Sequence, residues 1–159
     1  LSVTGVQTCA LPIWWLSLTL RMKIFRLGRL QFEPDEDRHV LHVHIPEGEP
    51  LDDAACGESF AIAEEFFGPE YTIFDCESWL LSPKLQKLLK PDSNILKFQN
   101  RFQIEKIIYP FRQAEERVFG RVREDKEQYP ESTSLQRAVK AMVLTGEDVG
   151  IGYGVIYRK

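Results

Sequence analysis

Residues 39–81 read HVLHVHIPEGEPLDDAACGESFAIAEEFFGPEYTIFDCESWLL, and the order of patterns within them decides the fold. Val40 to Ile45 alternates: Leu41, Val43 and Ile45 are apolar, while His42 and His44 share the opposite face of a strand. The turn PEGEP follows. Asp52 or Asp53 can then cap a helix through Phe67, because a carboxylate accepts the orphan N–H groups of the first turn. Phe60, Ala63, Phe66 and Phe67 recur at helical spacing and give that helix a buried stripe. Gly68-Pro69 ends it, and Tyr71 to Leu81 reads as a second strand.

Outward from this unit, Leu27 to Pro34 reads as a strand with Leu30 and Phe32 on one side. The polar turn PDEDR joins it to the Val40 strand as a hairpin. Downstream, Ser82-Pro83 starts a short helix to about Leu89, and PDSN is a turn. Phe98, Asn100, Phe102 and Ile104 alternate with Lys97, Gln99, Arg101 and Gln103, which predicts a strand. A charged helix is predicted from Pro110 to about Arg123. Another runs from Ser134 to near Thr145, with Leu135, Val139, Met142 and Val143 as its stripe and Gly146 beyond its end. Gly150 to Tyr157 closes the chain as a strand whose glycines in GIGYG favour close sheet packing over ligand contact. The expected fold is α/β, a mixed central sheet flanked by helices.

The chain of 159 residues suffices for one domain, and 43 % apolar residues supply a core. A net charge of −4 argues against nucleic acid as the partner. The longest apolar run falls short of the roughly 20 residues a membrane-spanning helix needs. Cys9, Cys56 and Cys76 have no zinc-finger spacing and make no disulfide framework, so a reducing cytoplasm is expected. Residues 3–13, VTGVQTCALPI, resemble a translated sequencing adapter of the kind found at the ends of metagenomic reads. Segment 1–13 is therefore set apart as non-native, the native domain is expected to span 14–159 from near Trp14, and an upstream region is expected to be missing.

LGRLQFEP, HVHIPEGEPLD, CESWLLSPKL, SNILKFQNRF and SLQRAVKAMVLTG together resemble the GNAT-like C-terminal domain of bacterial acyltransferases, across about Leu27 to Tyr157. CESWLLSPKL followed by SNILKFQNRF is the most specific part. The resemblance implies an N-acyltransferase that uses acyl-CoA as co-substrate, with no permanently bound cofactor. Its partners would be an N-terminal acyltransferase region of the same protein and an amine or other small-molecule acceptor. Typical GNAT enzymes bind the pyrophosphate on a Gln/Arg-x-x-Gly-x-Gly/Ala loop at a helix N-terminus. Here PEGEPLDD stands at that place, with Gly48 as its one glycine and four carboxylates that oppose a pyrophosphate.

His44, at the end of its strand, is the candidate general base, because an unperturbed imidazole titrates near neutrality. Cys76 and Ser78 share a face at the end of the next strand, and Cys76 with His44 would make a nucleophilic pair for ping-pong transfer. The bland alternative for Cys76 is a buried thiol. Trp79 is a candidate substrate platform or a core residue. Ser93 and Asn94 are candidates for polar contacts to pantetheine or acceptor, or turn residues. Arg101 can hold a phosphate or carboxylate, or stand solvated. Two other functions compete. One is a non-catalytic module that supports an upstream catalytic region. The other is a metal hydrolase on His42 and His44, which requires a further ligand near both.

Overall fold

A computed structural model of the chain describes residues 23–159. Segment 1–13, the expected native start at Trp14 and Cys9 all lie outside the described residues. Among the described residues six strands form one mixed sheet in the order β1-β2-β3-β4-β6-β5. These are β1 (Phe25–Leu27), β2 (Leu30–Asp35), β3 (Val40–His44), β4 (Ile73–Ser78), β5 (Gln103–Ile108) and β6 (Ile151–Tyr157). Among the described residues the helices are α1 (Asp53–Phe67), α2 (Leu85–Leu88), α3 (Asn94–Gln99), α4 (Gln113–Phe119) and α5 (Ser134–Leu144), with short 3₁₀ turns at Trp79–Leu81 and Lys126–Gln128.

The strand–helix–strand unit forms as its sequence predicts. Asp52 caps α1 by accepting from the Ala55 N–H at 2.9 Å, and Gly68 ends the helix. β3 and β4 are parallel, and every other neighbouring pair is antiparallel. α1 lays Phe60 and Ala63 on one sheet face, where they pack with Phe32, Leu41, Val43, Phe74 and Cys76. A second core lies around the Trp79 turn, where Leu80, Leu85 and Leu96 meet Tyr129, Val139 and Val143. The glycines of β6 serve close packing. A Cβ at Gly152 would stand 2.3 Å from the Leu81 carbonyl oxygen, so only glycine lets the Trp79–Leu81 turn fold onto β6.

Several boundaries differ from the sequence reading. Leu27 to Pro34 is not one strand. Gly28, at φ +71°, makes the turn between β1 and β2, a backbone state a Cβ disfavours. The alternation from Lys97 to Ile104 is not a strand either. Ser93 accepts from the Leu96 N–H and caps helix α3, and β5 begins only at Gln103. Phe98 and Phe102 are four residues apart, and their rings meet at 5.2 Å inside the core. The polar side of the apparent alternation includes Gln99, yet Gln99 is buried and donates to the carbonyls of Leu80 and Ser82. A cap and a satisfied buried amide therefore override a period of two. The charged helix is shorter than predicted, because Gly120 adopts the left-handed conformation immediately after Phe119. β4 stops at Ser78, whose hydroxyl accepts from the Leu80 N–H and turns the chain into the 3₁₀ segment.

Candidate active site

Three residue pairs hold β3 beside β4: Val40 with Ile73, Leu41 with Phe74, and His42 with Asp75. Beyond them both strands continue, to His44 and Ser78, without pairing to each other; β3 stays paired to β2 and β4 to β6. The carboxyl ends of two parallel strands thus diverge, and a cleft of about 730 Å³ opens between them. Strand ends of this kind are where open α/β sheets hold ligands.

On the β3 side the walls are His44, Ile45 and the loop at Pro46–Gly48. On the β4 side they are Glu77, Ser78 and Trp79, and α4 closes the far end with Gln113, Glu116 and Arg117. His44 is half-exposed, and its Nε2 lies 3.0 Å from Glu33 Oε2 on β2. Gln113 Oε1 accepts from the Trp79 N–H at 3.0 Å. Because an amide oxygen alone can accept there, the Gln113 NH₂ group faces away from Trp79. Arg117 is ion-paired with Glu47, joining α4 to the β3–α1 loop.

That loop is built around Arg29. Its buried guanidinium donates to the carbonyls of Pro46 at 2.9 Å, Glu49 at 2.7 Å and Pro50 at 2.8 Å. The Arg29 N–H donates to Ser59 Oγ at 2.8 Å, which ties the whole arrangement to α1. In a trans peptide the C=O and N–H point oppositely, so turning the Pro46 carbonyl onto Arg29 turns the Glu47 N–H away from it. Gly48, at φ +99°, completes the bend.

Of the residues singled out in the sequence, His44, Gly48, Ser78 and Trp79 line the cleft. Cys76 does not. It faces the α1 core, fully buried beside Phe74, on the other side of the sheet from His44. Burial, with the charges of Asp75 and Glu77, pushes its thiol far above the range in which a thiolate forms. The expected Cys76–His44 pair is therefore not assembled. Ser93 caps α3, Asn94 is the first residue of that helix, and neither lies on the cleft walls. Arg101 follows α3 rather than standing on a strand face, and its Nη2 donates to the Asp53 carbonyl and carboxylate at 2.9 and 2.6 Å.

His42 and His44 share a face but not a ligand set. His42 Nδ1 lies 2.6 Å from Asp75 Oδ1, while His44 turns to Glu33. Among the described residues no group of three potential ligands gathers around them. Asp75 also accepts from the Tyr153 hydroxyl at 3.1 Å, so His42, Asp75 and Tyr153 form a network at the point where the strands part. The sequence reading missed this network and also Gln113 and Arg117. The His42–Asp75 pairing depends on strand register, and the charge run that includes Arg117 reads locally as a solvated face.

A model of the GNAT-like C-terminal domain matches residues 24–156. The chain belongs to this GNAT-like C-terminal domain family. Comparison with curated proteins finds no match. Among solved structures, the GNAT-like domain is similar to an acyltransferase in complex with CoA and 10C-teicoplanin, at 29 % identity and a TM-score of 0.77 over 92 % of this chain. It is similar to an acyltransferase in complex with decanoyl-CoA and teicoplanin, at 30 % identity and a TM-score of 0.76 over 92 % of the chain. A structure of an acyltransferase with decanoyl-CoA gives 32 % identity and a TM-score of 0.76, again over 92 %. The chain spans about half the length of these proteins, covering 50 %, 50 % and 49 % of them. Among the described residues no helix is long and apolar enough to cross a membrane.

Proposed function

We propose that the chain is the C-terminal part of an acyl-CoA-dependent N-acyltransferase, and that the cleft between β3 and β4 takes the thioester. The observation that carries this reading is the parting of two parallel strands just beyond His42 and Asp75, with His44 and Ser78 on either side of the gap. Similarity to acyltransferases solved with CoA and decanoyl-CoA supports it. Two similar structures also hold teicoplanin or its 10C derivative, which supports a small-molecule acceptor.

In this reading His44 removes the proton of the acceptor amine, and Glu33 fixes its ring. Attack is direct. The amine nitrogen bonds to the acyl carbon, the carbon–sulfur bond breaks, and CoA leaves as the thiol once it regains a proton. No acyl-cysteine forms, since Cys76 faces the core. Gln113 Nε2, left free of the Trp79 N–H, is a donor on the wall that can meet negative charge developing on the thioester oxygen. The chain acts beside an upstream region that supplies the rest of the acceptor site.

Calorimetric titration with decanoyl-CoA, acetyl-CoA and desulfo-CoA tests the reading. Binding with one-to-one stoichiometry is expected, and His44→Gln should leave it intact while lowering acyl transfer by about a hundredfold. If none of the three CoA ligands binds, the reading fails.

A further inference from the structure

An anionic donor meets an odd reception in this cleft. His44 and Arg117 are the basic side chains on its walls, against the carboxylates of Glu47, Glu77 and Glu116. The start of α1 gives no free anion site either, because Asp52 already caps the Ala55 N–H and Asp53 adds a second negative charge. Yet Arg117 is poised at the boundary between α4 and the β3–α1 loop, paired with Glu47 across the cleft.

We propose that Arg117 is the docking group for the donor's diphosphate, with Glu47 as a stand-in anion that the diphosphate displaces. The proposal rests on the acyl-CoA reading above. A guanidinium presents a planar fork that matches phosphate oxygens in pairs, and a diphosphate brings more charge than one carboxylate. The exchange is cheap, because the side chains of Arg117 and Glu47 are 47 % and 74 % exposed and an ion pair so open to water is weak. It also needs no backbone movement. Arg29 holds the carbonyls on both sides of Glu47, at Pro46 and Glu49, so only the Glu47 side chain has to rotate away. The arrangement explains how a loop of carboxylates can replace a glycine-rich phosphate loop. The anion is received by a side chain from the opposite wall.

Titration of CoA, and of S-decanoyl-pantetheine as a probe without diphosphate, into the wild-type chain, R117Q and E47Q separates the alternatives. R117Q should weaken CoA about tenfold, equivalent to about 1.4 kcal/mol. E47Q should tighten CoA several-fold, since it frees the guanidinium. Neither variant should change binding of S-decanoyl-pantetheine. A purely structural strap predicts that the two variants shift CoA affinity in the same direction, because both break it, and that result overturns the proposal. Wild-type CoA binding left unchanged by R117Q also overturns it, while leaving the acyl-CoA reading standing. Absence of CoA binding to the wild-type chain sinks both.

Discussion

Replacing Arg29 by Met should cost about 3 kcal/mol of stability and loosen the cleft loop. Three charge-assisted hydrogen bonds, at 2.7 to 2.9 Å, are lost together. At about 1.5–3 kcal/mol each, they sum to roughly 6 kcal/mol. Against this stands relief from burying a cation that no carboxylate among the described residues accompanies, which returns about 3 kcal/mol. With a urea dependence of about 2 kcal/mol per molar, the midpoint should fall by roughly 1.5 M. R29K sharpens the test. An ammonium is a compact charge and cannot span three carbonyls that a fork reaches at once, so R29K should recover less than half of the loss. Urea unfolding followed by circular dichroism measures both variants, and calorimetry with decanoyl-CoA measures the loop. R29M within about 0.5 kcal/mol of wild type, or full recovery by R29K, would refute the claim that guanidinium geometry builds this loop.

Three further outcomes are expected. Gly152→Ala should lower stability by about 3 kcal/mol, because the new Cβ would sit 2.3 Å from the Leu81 carbonyl oxygen and backbone must shift; thermal unfolding reads it. Cys56 and Cys76 are both buried with their thiols pushed up, chiefly by burial, so native protein should leave both unmodified by a thiol reagent at pH 8, and C76A should retain acyl transfer. Glu115 is buried. Burial raises its carboxyl, but hydrogen bonds from Arg112 and Tyr129, with the charge of Arg112, bring it below the ordinary carboxylate value. A lowered acid stabilises the fold above its unfolded pKa and loses that contribution as pH falls through the folded value, so stability should decline below about pH 4.5, less steeply in E115Q.

What the sequence made legible was whatever local pattern controls. Leu41 and Val43 against His42 and His44, the Asp52 cap and the Gly68 stop defined the strand–helix–strand unit. The misreadings came where tertiary contacts overrule pattern. Lys97 to Ile104 alternates on paper, but Gln99 is satisfied inside the core by the Leu80 and Ser82 carbonyls, so its polarity says nothing about exposure. On the cleft walls, His44 and Ser78 could be placed from their positions at strand ends. Cys76 was misplaced because parity along β4 puts it with Phe74 in the α1 core. The Asp75 partner of His42 depends on register between strands 33 residues apart, and the Arg117–Glu47 pair on a separation of 70. No local period encodes either.

The most direct test of the cleft assignment is a crystal structure of the chain with a non-hydrolysable decanoyl-CoA analogue. The thioester mimic should lie in the gap between His44 and Ser78, with the diphosphate at Arg117. An analogue bound on another face of the sheet, with this gap empty, would contradict the account.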